Sequence, residues 1–160
     1  MHKLKYNNQQ SGFTIIELLI TISLAAVLTS LAAPAFKDMI KKNQLAAQAN
    51  SVMASMNYAR NETITRNADV ILQPVTGTDW AVGWQASSGG TVIRNFDPIE
   101  GATLVGSAAS ITYESDGSLS GTATITLTLT PTVCTTGKEY IRTITVVPSG
   151  HSRVSSSTCP

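Results

Sequence analysis

Between Phe13 and Phe36 the chain reads FTIIELLITISLAAVLTSLAAPAF, and Glu17 is the one formally charged residue in it. A carboxylate near the centre of a membrane span costs on the order of 2.5 kcal/mol or more. The chemistry open to such a group is pairing with a cation; a shallow carboxylate reaching lipid headgroups is the plainer alternative. The second candidate is a pair, Cys134 and Cys159, separated by 25 positions. In an oxidising compartment they would close a loop worth roughly 3–4 kcal/mol, and two free buried thiols are the alternative. Two cysteines this far apart, with His2 and His151 as the chain's only histidines, make a weak metal site. No nucleophile elbow, phosphate loop, zinc spacing or dinucleotide fingerprint occurs, so no enzyme, catalytic residue, metal or cofactor is expected.

The apolar run fixes how these groups are presented. As a helix it would reach about 36 Å, enough for a hydrocarbon core of about 30 Å with some tilt. It is too long for the apolar core of a removable secretory signal, and it carries a carboxylate, so it is expected to stay in the mature protein. The whole chain is 160 residues, one-domain length, with a formal net charge of +1. That balance hides an asymmetry. From Asp69 onward the bases are Arg94, Lys138, Arg142 and Arg153, against Asp69, Asp79, Asp97, Glu100, Glu114, Asp116 and Glu139. A broad cationic surface for nucleic acid or anionic lipid is therefore not expected there.

Gly12, Phe13, Glu17 and the apolar run coincide in the register of a class III prepilin signal. The chain resembles type IV minor pilins and type II secretion pseudopilins of the GspH/FimT branch. The resemblance implies a leader, residues 1–12, that a prepilin peptidase removes after Gly12 before methylating the new amine of Phe13. It implies that Glu17 attracts the N-terminal amine of a neighbouring subunit during filament assembly, and that Pro34 bends the helix. It also implies an inner-membrane anchor with a periplasmic head, in contact with membrane lipid and with other minor pilins and the major pilin, or with pseudopilins.

In chain order, residues 13–36 read as the transmembrane half of a helix and residues 37–66 as its amphipathic half. Lys37–Arg60 has no Gly or Pro, and Leu45, Ala49, Val52, Met53, Met56 and Ala59 recur at three- and four-residue spacings. Residues 67–160 read as a β-rich head of roughly 95 residues, small enough that a crosslink would help. The expected strands are Asp69–Gln73, Val92–Phe96, Ala109–Glu114, Gly121–Thr130, Glu139–Val147 and a short one around His151–Ser155, with Pro74 and Pro131 as stops. Asp116–Gly117 signals a hairpin turn. Trp80 and Trp84 read as core and turn anchors, with a ligand-stacking platform as the alternative, and their W-x-x-G-W pattern also resembles the GspH/FimT branch. The fold class is thus α+β, type IV pilin-like.

The remaining candidate is Gly150–Arg153, GHSR. Some members of this branch bind DNA through a C-terminal Gly-Arg-x-Arg motif; here His151 stands where the first arginine would be. Arg153, Arg142 and Lys138, with His151, could form a patch beside the cysteines. The resemblance therefore implies a structural subunit of a pilus, with DNA capture during natural transformation and a secretion pseudopilin as alternatives.

Overall fold

The computed structural model describes residues 12–160, so the leader apart from Gly12 lies outside the described residues. One helix, α1, runs Ile15–Arg66 and continues through Pro34. Thr14 caps it: its Oγ1 accepts the Glu17 amide at 3.2 Å, and its carbonyl accepts the Leu18 amide at 3.2 Å. This places Glu17 at the third helical position, the spacing of a capping box. The chain divides into two compact units after Met39.

In the first unit every side chain from Phe13 to Phe36 is exposed. Its hydroxyls do not compromise the apolar surface. Thr21, Ser23, Thr29 and Ser30 each donate to a backbone carbonyl of the preceding turn, at 2.7–2.8 Å. Internal satisfaction of this kind is what a polar group needs where water is absent.

The second unit, Ile40–Pro160, contains the remainder of α1 and every strand. The helix buries Leu45, Ala49, Val52, Ser55, Met56, Ala59 and Thr63. This is the stripe expected from the spacing, with Met53 at its half-buried margin and two hydroxyls added to it. Asn67 ends the helix in the left-handed region (φ 51°), as C-terminal caps commonly do.

Eight strands follow: β1 (Val70–Pro74), β2 (Trp84–Ser88), β3 (Thr91–Phe96), β4 (Ala102–Gly106), β5 (Ile111–Tyr113), β6 (Ile125–Pro131), β7 (Ile141–Val146) and β8 (Ser152–Ser157). They form two antiparallel four-stranded sheets, ordered β3-β2-β1-β5 and β4-β6-β7-β8. β7 is an inner strand, as its two-faced apolar content suggests. In β6, Leu127 and Leu129 enter the core while Thr126, Thr128 and Thr130 take the other face. The buried side chains of both sheets and of α1 make one core.

Several expectations need correction. β2 and β4 are strands that the sequence reading missed. β2 is short and rich in small residues, and Ala86 and Ser87 are both buried in succession, so it lacks the alternation that marks a strand. Pro74 and Pro131 lie inside the last positions of β1 and β6, where one missing amide is tolerated. The Asp116–Gly117 turn does form, with the Gly117 amide 2.7 Å from the Glu114 carbonyl. It returns the chain only far enough for Leu119 to bridge Tyr113; β6 then joins the other sheet. Within this turn the Asp116 carboxylate accepts hydrogen bonds from Ser118, which hold its pKa below the ordinary value.

Gly150 completes a three-residue hairpin loop between β7 and β8. The Gly150 amide donates to the Val147 carbonyl at 2.8 Å, and the Val147 amide to the His151 carbonyl at 3.0 Å. Such loops need a left-handed residue at this place, and Gly150 has φ 79°. A Cβ there would lie 1.9 Å from the Gly117 carbonyl oxygen and 2.9 Å from Arg60 Nε. Arg60 Nε also donates to that carbonyl at 3.0 Å, so two turns and the helix meet at one point. Cys134 and Cys159 are joined, with Cα atoms 5.6 Å apart.

Two outcomes follow for the purified full chain in detergent. Gly150→Ala should destabilise the head by more than about 2 kcal/mol, since left-handed strain alone costs roughly 1–2 kcal/mol. A thermal melt in which it equals the parent protein would contradict this packing. Reduction of the disulfide should remove roughly 3–4 kcal/mol, read as a lower Tm with reductant that Cys134→Ser reproduces.

Candidate functional site

The first candidate site is the start of α1. Phe13 is 85% exposed, and a Cβ built on Gly12 meets nothing within 4 Å, so the Gly12–Phe13 bond lies open. Glu17 is exposed one turn into the helix. Its amide is occupied by Thr14, which fixes the backbone there. The positive end of the helix dipole lies at the same place. Carboxylate, accessible peptide bond and bare apolar surface therefore share one helix end.

The second candidate is the GHSR loop, and the structure distributes its residues. In the β7–β8 ladder Arg153 stands opposite Thr145 and Arg142 opposite Ser156. Odd and even positions of a strand face opposite ways, so the two arginines lie on opposite faces of the sheet. Arg142 is on the core side, opposite the buried Leu129 in the neighbouring ladder, and its Nη1 donates to the Glu139 carbonyl at 3.4 Å. Lys138 sits beside the disulfide, where its carbonyl accepts the Cys159 amide at 2.9 Å. His151 Nδ1 is 3.2 Å from Ser149 Oγ, and Ser152 Oγ donates to Asn57 Oδ1 on α1 at 3.0 Å. The expected common patch of Arg142 and Arg153 is not assembled, because sheet parity separates them. Among the described residues, no three His, Cys, Asp or Glu side chains converge as a metal site.

Residues 48–150 match the family model described as Type II transport protein GspH. The chain belongs to the GspH family. Residues 7–33 also match the prokaryotic N-terminal methylation motif, which implies processing by a prepilin peptidase and assembly with other pilins. Fimbrial protein Q and the Type IV major alpha-pilin of Moraxella bovis are each 49% identical over 37 residues. That stretch is 23% of this chain and 24% and 23% of theirs, so the chain spans about a quarter of the length of these curated relatives. Two crystal structures of the type IV minor pilin FimU from Pseudomonas aeruginosa superpose with TM-scores of 0.62 and 0.58, at 19% and 20% identity. They cover 73% and 68% of this chain and 92% and 90% of FimU. The fold of this GspH-family chain is thus that of structural pilins.

The tryptophans of this GspH-family head are core anchors, each 1% exposed, and offer no stacking platform. Asp79 caps the short 3-10 turn that carries Trp80. Gly83, with φ 103°, lets the chain pass close to the Phe96 carbonyl, 3.0 Å from where a Cβ would be. Trp84 donates from Nε1 to Ser55 Oγ at 2.8 Å, and Ser55 donates in turn to the Val52 carbonyl at 2.7 Å. Trp84 stacks on Phe96 at 5.7 Å, and the Arg94 guanidinium covers Tyr58 at 4.8 Å and Phe96 at 5.2 Å. Arg94 and Arg60 were not singled out from the sequence. The alternation Arg94-x-Phe96 on one strand face was the available signal for the first; the second has no local signal, because its acceptor lies on a distant turn.

Two buried hydroxyls should respond in opposite ways. Ser55→Ala leaves the Trp84 indole N–H without its acceptor and should cost about 1–3 kcal/mol in a denaturant titration. Tyr113 Oη is buried with no hydrogen-bond partner among the described residues, and burial drives its pKa upward. Tyr113→Phe should therefore be neutral or stabilising. Equal losses in both variants would refute this assignment.

Proposed function

We propose that this chain is a minor pilin, a structural subunit that joins the priming or tip complex of a type IV pilus. The observation that carries this reading is the helix end itself. The apolar surface from Phe13 to Phe36 is exposed and bears a single carboxylate near its start. Among the described residues α1 is the helix long and apolar enough to cross a membrane. In this proposal it anchors the subunit in the bacterial inner membrane, with the head in the periplasm, until assembly. A prepilin peptidase cuts after Gly12, the new amine of Phe13 is methylated, and neighbouring subunits then cover the apolar surface.

Glu17 supplies direction to that packing. Once buried among apolar helices it requires a cation, and the amine of a staggered neighbour is one within the filament core. The likeness to the minor pilin FimU favours a pilus over a secretion pseudopilus. DNA capture is less well supported, because Arg153 and Arg142 lie on opposite sheet faces.

The test is Glu17→Ala in the native assembly background. N-terminal sequencing should still find Phe13 as the first residue of the processed protein. Incorporation into sheared filaments, or co-purification with filament partners, should fall at least about tenfold, as expected when a buried charge loses its partner. Processed Glu17→Ala that co-purifies normally would overturn the role of Glu17.

A further inference from the structure

Two four-stranded sheets have four edges, and an open edge presents a row of backbone donors and acceptors to any extended chain. Three of the edges are blunted. β3 carries a bulge, since Arg94 pairs with Ala86 and Val92 with Ser87, leaving Ile93 extra. β4 has the 3-10 turn Trp80–Val82 packed against it; Trp80 Nε1 donates to the Ala108 carbonyl just beyond the strand, at 3.2 Å. β5 is three residues long, and Leu119 bridges Tyr113.

β8 has none of these devices. All six residues pair with β7 without a register shift. It contains no proline, lysine or glycine, and its sequence is SRVSSS. The Val147 amide bond to His151 sets the alternation of the ladder. Thr145/Arg153, Thr143/Ser155 and Ile141/Ser157 are the bonded pairs. The N–H and C=O groups of Ser152, Val154 and Ser156 then point away from β7. Among the described residues no backbone group outside β7 bonds to them.

We infer that the outer edge of β8 is a strand-addition site for an acidic extended segment of another protein. The backbone row requires an extended occupant, because only a strand matches donors and acceptors at every second residue. Serine side chains leave room for its approach. Arg153 specifies the charge: it is exposed, lies on the same face as Ser155 and Ser157, and no described carboxylate pairs with it. A carboxylate on the added strand, directly across from Arg153, completes the site. A second copy of β8 does not fit this requirement, since SRVSSS contains no acid. This inference concerns the head alone and does not depend on the role of Glu17.

The test uses the full chain in detergent and two capped synthetic peptides, Thr-Val-Glu-Val-Thr-Val and its Gln counterpart. Amide hydrogen exchange across residues 152–157 should slow on adding the Glu peptide. Its Kd should be about threefold lower than that of the Gln peptide, the scale of one cross-strand ion pair. Arg153→Glu should reverse the preference in favour of a Lys peptide by a similar factor. Val154→Pro removes an outward amide while sparing the ladder to β7, and it should abolish protection by either peptide. Val154→Pro alters the backbone, so Arg153→Glu, which leaves it untouched, carries the charge test independently. No protection with any peptide at millimolar concentration would overturn the site. Equal binding of the Glu and Gln peptides would overturn the acidic occupant. Concentration-dependent protection without peptide would overturn it in favour of a second copy.

Discussion

Loops that leave a sheet carry carbonyl groups that no strand can satisfy, and in this head one helix supplies many of the donors. Lys41 donates to the Val133 carbonyl and lies 4.8 Å from the centre of the Tyr140 ring. Gln48 Nε2 reaches the Glu100 carbonyl at 2.8 Å, and Arg60 the Gly117 carbonyl. Thr63 Oγ1 lies 2.5–3.2 Å from the carbonyls of Ala68, Tyr113 and Glu114. Its single proton serves one acceptor at a time, and the shortest contact is to Ala68. These donors flank the apolar stripe from Leu45 to Ala59. The same helix face therefore supplies hydrophobic burial and sets where the turns lie. Buried backbone polar groups must be paired somewhere, so register between helix and sheets is specified by polar contacts as well as by volume.

The opposite condition holds in the first unit. There the helix side chains from Phe13 to Phe36 are exposed, and the helix backbone satisfies its hydroxyls. Such a segment meets apolar surroundings without an unsatisfied hydroxyl, because Thr21, Ser23, Thr29 and Ser30 already have acceptors. Glu17 is the exception. Its amide is held by the cap, while its carboxylate is exposed at the start of the helix.

Gly150 shows how a motif residue can be explained by structure before function. Its place in GHSR invites a reading in which the whole segment serves a ligand. The hairpin loop requires its left-handed conformation, and the turn at Gly117 leaves no room for a side chain. Glycine is demanded there whatever the neighbouring residues do. The exposed chemistry of the segment reduces to Arg153 on one face, with His151 in the loop.

What the sequence alone determined is local. The apolar run follows from its composition and length, and the helical stripe to Ala59 and the Thr alternation of β6 repeat within a few residues, so periodicity reports them directly; the register of Gly12, Phe13 and Glu17 takes its meaning from the resemblance to a prepilin signal. The tertiary structure decided everything that depends on a partner distant in sequence. It divided the strands between two sheets, used both tryptophans in the core and assigned Arg142 and Arg153 to opposite faces. It also left β8 as the open edge. Parity within a strand is readable in advance, but which parity faces the core is set by the strand that pairs with it. At the start of α1 the composition identifies the chemistry; in the head, the nonlocal pairing determines which side chains remain available to perform it.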